Sequence, residues 1–431
     1  MGFLLFILVN ATLFIRPAEI VPELLELPIY NVLMIASIIC TLPAILKQLS
    51  VRSLISSPIT ACVLGIQAMV ILSHLGNGNS YYARTMGLEF LKIVLYYLVL
   101  VSLLNTPARL QRFLTSLVWL IAIMASLALL HYYGKITLPS METLTREEVD
   151  QSTGEVYNVL QLQGTGIFSD PNDLCLILVT GMVICLHGMS DRRLGLFRAA
   201  WAAPLILFGY TLALTSSRGG FLGLLAAMIV TFCARFGVKR SLPLIVLGLP
   251  TMFLLFAGRQ TNISTSSGTG QARIQLWAAG LDVFRQRPFF GVGQGLIADE
   301  ITQETHNSFV HCYPDMGFFG GTLFLTLFGA SVVTLRRLGA RPDAIVDPDL
   351  RRLRPYLLGI VAGYMAGMTS ISRAYIAPTY MIPALVAVFA HLAADEPPLQ
   401  LSGRFVRNAL IGSVIFLIFT YIYVRLFARW G

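Results

Sequence analysis

The sequence predicts an all-α, polytopic integral membrane protein with 12–14 transmembrane helices and a long outer loop carrying an amphipathic helix. Three observations predict it. Only 12% of the 431 residues are charged and 56% are hydrophobic, whereas a soluble domain carries roughly 25% charged residues. Apolar runs recur at the length of a membrane helix, about 20 residues. The cationic residues stand between those runs, where positive-inside retention places them. A soluble enzyme, a disordered chain and a disulfide scaffold are excluded. The net charge of +9 does not point to nucleic acid, because the basic residues form neither a patch nor an aromatic-interleaved stripe. Five cysteines (Cys40, Cys62, Cys175, Cys185 and Cys233) lie in apolar runs, Cys312 stands alone in a polar segment, and no CxxC pair occurs.

From the N-terminus, Met1-Gly2-Phe3-Leu4 has no basic n-region or small-residue cleavage site, so a first span is expected instead of a removed signal. Phe6 occupies the place where a myristoylation signal needs Ser or Thr. Spans are expected near 2–15, 29–46, 58–75, 87–104, 113–133 and 171–188, then near 199–215, 219–235, 241–257, 317–335, 356–372, 376–394 and 408–425. With the N-terminus inside, the cytoplasmic connections hold 18 of the 31 basic residues. Six of these are Arg336, Arg337, Arg341, Arg351, Arg352 and Arg354.

The whole chain, 1–431, reads as a single membrane domain. Two long polar segments fall on the outer side, 134–170 and 258–316, and loops of that length are usually functional or disordered. In the second, Thr261 to Gly270 has the composition of a flexible linker. Ile274, Trp277, Leu281 and Phe284 then recur at helical spacing until Pro288, which predicts an amphipathic helix over 271–287 lying at the outer membrane surface. No internal repeat is visible, which argues against an inverted-repeat transporter.

Several outer-side residues could carry chemistry. Arg218 lies in Thr215-Ser-Ser-Arg-Gly-Gly220. Small neighbours there allow close helix approach. Its guanidinium either forks onto a phosphate or snorkels as an interfacial anchor. Arg273 opens the amphipathic helix, where it either faces a site or contacts headgroups. Phe289-Phe-Gly-Val-Gly-Gln-Gly295 lacks the strand–loop–helix context of a phosphate loop and reads as a turn. His306 lies in the polar stretch Glu304 to Gly317; it is either a proton acceptor at neutral pH or a hydrogen-bonded structural histidine. His311, five residues on, sits about 140° away on a helix and does not complete a zinc pair with it. The acidic residues Asp299, Glu300, Glu304 and Asp315 leave a metal site open, although no spacing defines one.

Asp170-Pro171-Asn172-Asp173 has Asp at N-cap and Pro at N1, a good helix start. Glu89 and Lys92 are three apart within the fourth span, where an internal ion pair or a functional role would account for them. Arg84 and Arg373 are further outer cations that either line a site or anchor their spans.

Three of these segments together resemble the bacterial O-antigen ligase and polymerase superfamily. Ser216-Ser-Arg-Gly-Gly220 is similar to its Ser-Arg-Gly stretch. Arg273-Ile-Gln-Leu-Trp277 followed by Pro288-Phe-Phe-Gly-Val-Gly293 resembles its loop, and His306-Asn307-Ser308 with Gly317 to Gly321 resembles its third segment. The motifs span roughly 160–330. The Asp-Pro-Asn-Asp start also resembles the exosortase-associated O-glycosylation ligase branch.

The resemblance implies a GT-C-like, inverting glycosyltransferase in the bacterial inner membrane, with its active site facing the periplasm. It implies a glycan donor on undecaprenyl diphosphate and a lipid, glycan or protein hydroxyl as acceptor. It implies Arg218 and Arg273 on the diphosphate and His306 as the base, with no metal or other cofactor. Arg84, Arg373, Asp170 and His311 are further candidates for lining the site. A repeat-unit polymerase would use the same chemistry on a different acceptor. A lipid-linked oligosaccharide flippase is a separate reading and would need a polar path through the midplane.

Overall fold

The computed structural model describes residues 1–24, 26–138, 144–149, 156–255 and 268–429; the expected linker from 261 lies, up to residue 267, outside the described residues. The chain begins with α1 (Gly2–Phe14) and the single turn α2 (Pro17–Ile20). Next come α3 (Ile29–Gln48), the short α4 (Val51–Ser56), α5 (Pro58–Leu75), α6 (Ser80–Leu103) and α7 (Pro107–Tyr132). A hairpin of β1 (Leu144–Val149) and β2 (Val156–Gln161) interrupts the helices. It is followed by α8 (Pro171–Met189), α9 (Ala202–Leu214), α10 (Arg218–Phe236) and α11 (Val238–Leu255). The last third comprises α12 (Gly268–Gln286), α13 (Ile297–Ile301), α14 (Ser308–Ala340), α15 (Pro348–Met368), α16 (Ala377–Ala393) and α17 (Gly403–Phe427).

The protein is an all-α polytopic membrane protein. Among the described residues nine helices are long and apolar enough to cross a membrane, and α1 and α16 are shorter apolar helices. The expected count of 12–14 is higher than this, and α11 and α15, which run beside α10, are not among the nine. α11 carries Pro243 and Pro250, and α15 carries Arg351, Arg352 and Arg354 in its first two turns. The side chains explain the starts. Thr106, Asp170, Ser217, Asn307, Asp347 and Ser402 each accept a backbone N–H at a helix N-cap, and Pro follows directly at Pro107, Pro171 and Pro348.

α8 and α16 are mostly buried, whereas α3 and α17 form the rim and expose residues such as Ile39 and Phe419. α10 and α15 approach closely through glycines. A Cβ at Gly223 would meet the Gly363 carbonyl oxygen at 3.0 Å, and one at Gly363 would meet the Ala227 Cβ at 2.7 Å. The connections divide into two ends. One, the site end below, gathers 162–170, 215–217, 288–307 and 369–376. The other gathers the cationic connections, where Arg352 pairs with Asp191 at 2.8 Å and Arg193 with Asp349 at 3.0 Å.

Four sequence expectations are corrected here. The span expected from 317 begins at Ser308 and carries a break at Gly317 (φ 69°, ψ −171°), because Asn307, ten residues before 317, caps it. The span expected from 87 begins at Ser80, capped by Asn79. The amphipathic helix forms as α12, but its apolar face does not lie on lipid. Ile274, Ala278 and Leu281 are buried with Val424 of α17, Trp277 meets Tyr423 in a tilted ring contact, and Phe284 meets Tyr313 of α14 edge-on. Glu89 and Lys92 do form an ion pair, at 2.6 Å, but both side chains are more than half exposed. Their stretch of α6 turns away from the bundle, so the pair is not internal.

The hairpin was not expected from the sequence, its strands being only six residues each. β1 and β2 are antiparallel, with Leu144 opposite Gln161 and Val149 opposite Val156. Its exit strand docks on the end of α9: Leu162 N donates to Leu214 O at 3.1 Å and Gln161 Nε2 to Thr215 O at 3.0 Å.

Candidate functional site

The site end is built on the start of α10. Ser217 caps the helix by accepting Gly220 N at 3.0 Å, and its hydroxyl donates to Asn172 Oδ1 at 2.6 Å. Gly220 lies against Cys175 and Gly219 against Ser370, where a Cβ would collide with either. These contacts clamp Arg218, the first residue of α10, between α8 and the 369–376 connection. Ser216 completes the turn with a left-handed backbone (φ 52°), a conformation that L side chains adopt at a cost.

On α8, Asp170 accepts Asn172 N at 2.7 Å and Asn172 Nδ2 at 2.8 Å, so the expected N-cap is formed. Asp173 turns inward and is buried. Arg373 Nε donates to Asp173 Oδ2 at 2.7 Å, and Arg373 Nη1 lies 3.8 Å from Glu304 Oε2. Burial works against the guanidinium charge, but the carboxylates of Asp173, Asp170 and Glu304 outweigh it and raise the Arg373 pKa. Arg373 therefore holds an inter-helix ion pair in place of the anchoring role open to it in sequence.

Arg373 also reaches the histidine segment. Its backbone N–H donates to Ser308 Oγ at 2.9 Å, and that hydroxyl donates to Ile371 O at 2.6 Å. Asn307 caps α14 by accepting Phe309 N and Val310 N at 3.0 and 3.2 Å. His306 precedes the cap, half-buried, with a left-handed backbone (φ 50°). Of the four non-glycine residues with positive φ among the described residues, Ser216 and His306 thus lie in two of the motif segments.

His311 is on α14 and His306 is not, so the two share no helix face. His311 is buried: its Nε2 donates to Asp315 Oδ2 at 3.1 Å, and its Nδ1 lies 3.4 Å from the Thr305 hydroxyl. Asp315 Oδ2 also accepts Gly295 N at 3.0 Å and Tyr375 OH at 2.9 Å. Burial, then the Asp315 charge, pushes the Tyr375 phenol well above its ordinary pKa, so it stays a donor.

The glycine-rich stretch is a turn, as expected, but a docked one. Val292 N donates to Pro314 O at 2.8 Å, Gly293 N to Asp315 O at 3.0 Å, and Phe318 N to Pro288 O at 2.7 Å. These bonds use α14 backbone groups around the break at Gly317. Gly291 and Gly293 have positive φ, and a Cβ at Gly293 would lie 2.7 Å from His74 Nδ1, so only glycine fits.

The structure thus links the Arg218 and His306 segments through Asn172, Asp173 and Arg373. α12 touches the same region where Gly280 faces Thr305, with Arg273 two turns earlier on that helix. Arg84 is exposed on α6 near its start. Asp299 and Glu300 are exposed on α13, whereas Asp315 is buried on α14. Among the described residues no group of three or more His, Cys, Asp or Glu side chains could hold a metal ion.

Sequence reasoning missed Asp173, Glu304 and Asp315 as members of this cluster. The His311–Asp315 pair carries a readable signal, the i,i+4 spacing, once α14 is started at Ser308. The partner of Asp173 lies 200 residues away and has no local signal.

The fold and this cluster define a multi-pass membrane protein with a polar, tightly positioned site at one end of a helical bundle. Residues 203–325 match the family described as O-antigen ligase, which supports the resemblance of this region to the O-antigen ligase superfamily. Arg218, Arg273, His306 and Asp315 fall within the match, whereas Asp173 and Arg373 lie outside it. No curated protein matches the chain.

Proposed function

We propose that the protein transfers a glycan from undecaprenyl diphosphate to an acceptor hydroxyl, with inversion, at the periplasmic face of the inner membrane. The observation that carries this reading is the link between two motif segments: Ser217 bonds to Asn172, its neighbour Asp173 pairs with Arg373, and Arg373 bonds to Ser308. A cation and an imidazole are thereby held at one end of the bundle.

In this reading Arg218 and Arg273 bind the diphosphate and stabilise the charge that develops as it leaves. The start of α10 adds a positive helix terminus, which favours an anion. His306 takes the proton of the acceptor hydroxyl. That oxygen attacks the anomeric carbon from the side opposite the diphosphate, whose C–O bond breaks with the electron pair passing to the phosphate oxygen. No metal is invoked. The Asp315–His311–Thr305 contacts set the backbone that presents His306. Ligase and polymerase differ here only in the acceptor.

A flippase would need ionisable groups along the midplane. The buried ionisable side chains among the described residues, His74, Asp173, His187, His311 and Asp315, instead lie within about two turns of a helix end. Proteoliposomes supplied with a lipid-linked oligosaccharide and a hydroxyl acceptor test the proposal. Arg218→Lys and Arg273→Lys should keep part of the transfer, since Lys retains charge but not the bidentate fork, and the Ala variants should keep very little. Wild-type turnover in both Ala variants would refute the assigned roles.

A further inference from the structure

At the end of the bundle opposite the site, a cavity of about 690 Å³ lies between α14, α17 and the connection 397–402. Its walls are cationic at one end and mostly apolar along the rest. Arg337, Arg404, Gln400 and Ser402 stand at the mouth, by the last turn of α14 and the first of α17. Leu325, Ala330 and Gly412 line the interior, with Thr326 and Asn408 as its polar side chains. From Arg337 back to Leu325 is 12 residues of helix, about 18 Å at 1.5 Å per residue. The floor is left open by the protein itself. A Cβ built at Gly329 or at Gly412 would meet nothing within 4 Å, so these glycines serve no close helix contact.

The charge at the mouth is of one sign. Among the described residues no carboxylate lines the cavity, and Asp395 and Glu396 of the same connection are not part of its wall. Arg337 spends one N–H on Pro398 O at 3.0 Å, which fixes the guanidinium at the rim. Both α14 and α17 are apolar enough to span a membrane, and α17 is exposed along most of its length. The occupant must therefore be anionic at one end, apolar at the other, and able to reach the gap from within the bilayer.

We infer that this cavity binds one anionic phospholipid, with its phosphate between Arg337 and Arg404 and an acyl chain running over Gly329 and Gly412. Such a lipid fills the gap that α14 and α17 leave beside their Thr322–Ser413 hydrogen bond. The site is independent of the proposed transfer chemistry and is read out without it.

The full chain, purified in mild detergent and stripped of lipid, is exposed to mixed micelles of phosphatidylglycerol or phosphatidylcholine and followed by native mass spectrometry. One phosphatidylglycerol per chain should be retained, at least tenfold in preference to phosphatidylcholine. Arg337→Gln with Arg404→Gln should abolish that preference. Gly412→Leu fills the interior while leaving both arginines, and should expel the lipid from a protein that still elutes as wild type. Equal retention of both lipids, or unchanged retention in the arginine and Gly412→Leu variants, would overturn the inference. So would displacement by millimolar inorganic phosphate, which marks a soluble-anion site, or a lipid-free dimer, which marks a second copy as the occupant.

Discussion

Arg373 holds the site end together, and its removal can be costed from the structure. Asp173 is 2% exposed, its Oδ2 is bound by Arg373 at 2.7 Å, and its Oδ1 has no hydrogen-bond partner among the described residues. Arg373→Ala would leave the Asp173 carboxyl buried with no cation. Two unit charges about 4 Å apart at an effective dielectric of 20 are worth about 4 kcal/mol, and breaking a buried pair typically costs about 3–5 kcal/mol. Arg373 keeps 28% of its side-chain surface exposed, so the low end applies, about 3 kcal/mol after screening. That is more than a hundredfold in the folding equilibrium.

Asp173→Asn removes the charge that needs the arginine. It should therefore cost less alone and recover about 2 kcal/mol when added to Arg373→Ala, a coupling of the size found for groups in contact. Unfolding of the purified protein in mixed micelles, titrated with a denaturing detergent and followed by tryptophan fluorescence, measures all four corners of the cycle. If Arg373→Ala cost under 1 kcal/mol, or Asp173→Asn failed to relieve it, the ion pair would not be what holds the 369–376 connection to α8.

The remaining predictions concern topology, backbone and chemistry. A membrane-impermeant thiol reagent should label Ser267→Cys from outside intact cells but not Ala344→Cys in a background lacking exposed cysteine; the reverse pattern would invert the site. Gly317→Ala forces a side chain into a backbone region that is essentially glycine-only (φ 69°, ψ −171°) and towards the Phe289 carbonyl. It should destabilise by about 1–3 kcal/mol, and an unchanged unfolding midpoint would show that α14 straightens at no cost. His306→Ala should leave donor binding intact and abolish transfer. Wild-type transfer should persist in EDTA. Loss of transfer in EDTA with recovery on adding magnesium would assign the diphosphate to a metal.

What the sequence determined by itself was set by local pattern. Apolar runs of about 20 residues specify membrane helices because a span must satisfy its own backbone in hydrocarbon. Thr106, Asp170 and Ser217 with their following residues specify helix starts because a capping oxygen needs only the next two or three N–H groups. The 274–284 periodicity specified an amphipathic helix for the same reason. The three motif segments were legible too, as short strings within a region that matches the O-antigen ligase family.

Only the tertiary structure decided what those elements face. An apolar helix face can be buried by lipid or by protein at similar gain, so nothing in α12 distinguishes the bilayer surface from the α17 wall that covers it. Glu89 and Lys92 make the same i,i+3 contact whichever way α6 is rotated, and packing against α5 and α16 turned them outward. Asp173 meets Arg373, and Arg373 meets Ser308, only because α8, α14 and the 369–376 connection converge at one end. Hydropathy and spacing are properties of about one helix length. A buried ion pair across 200 residues depends on how helices rotate and cross, which is fixed by the packing of the whole bundle.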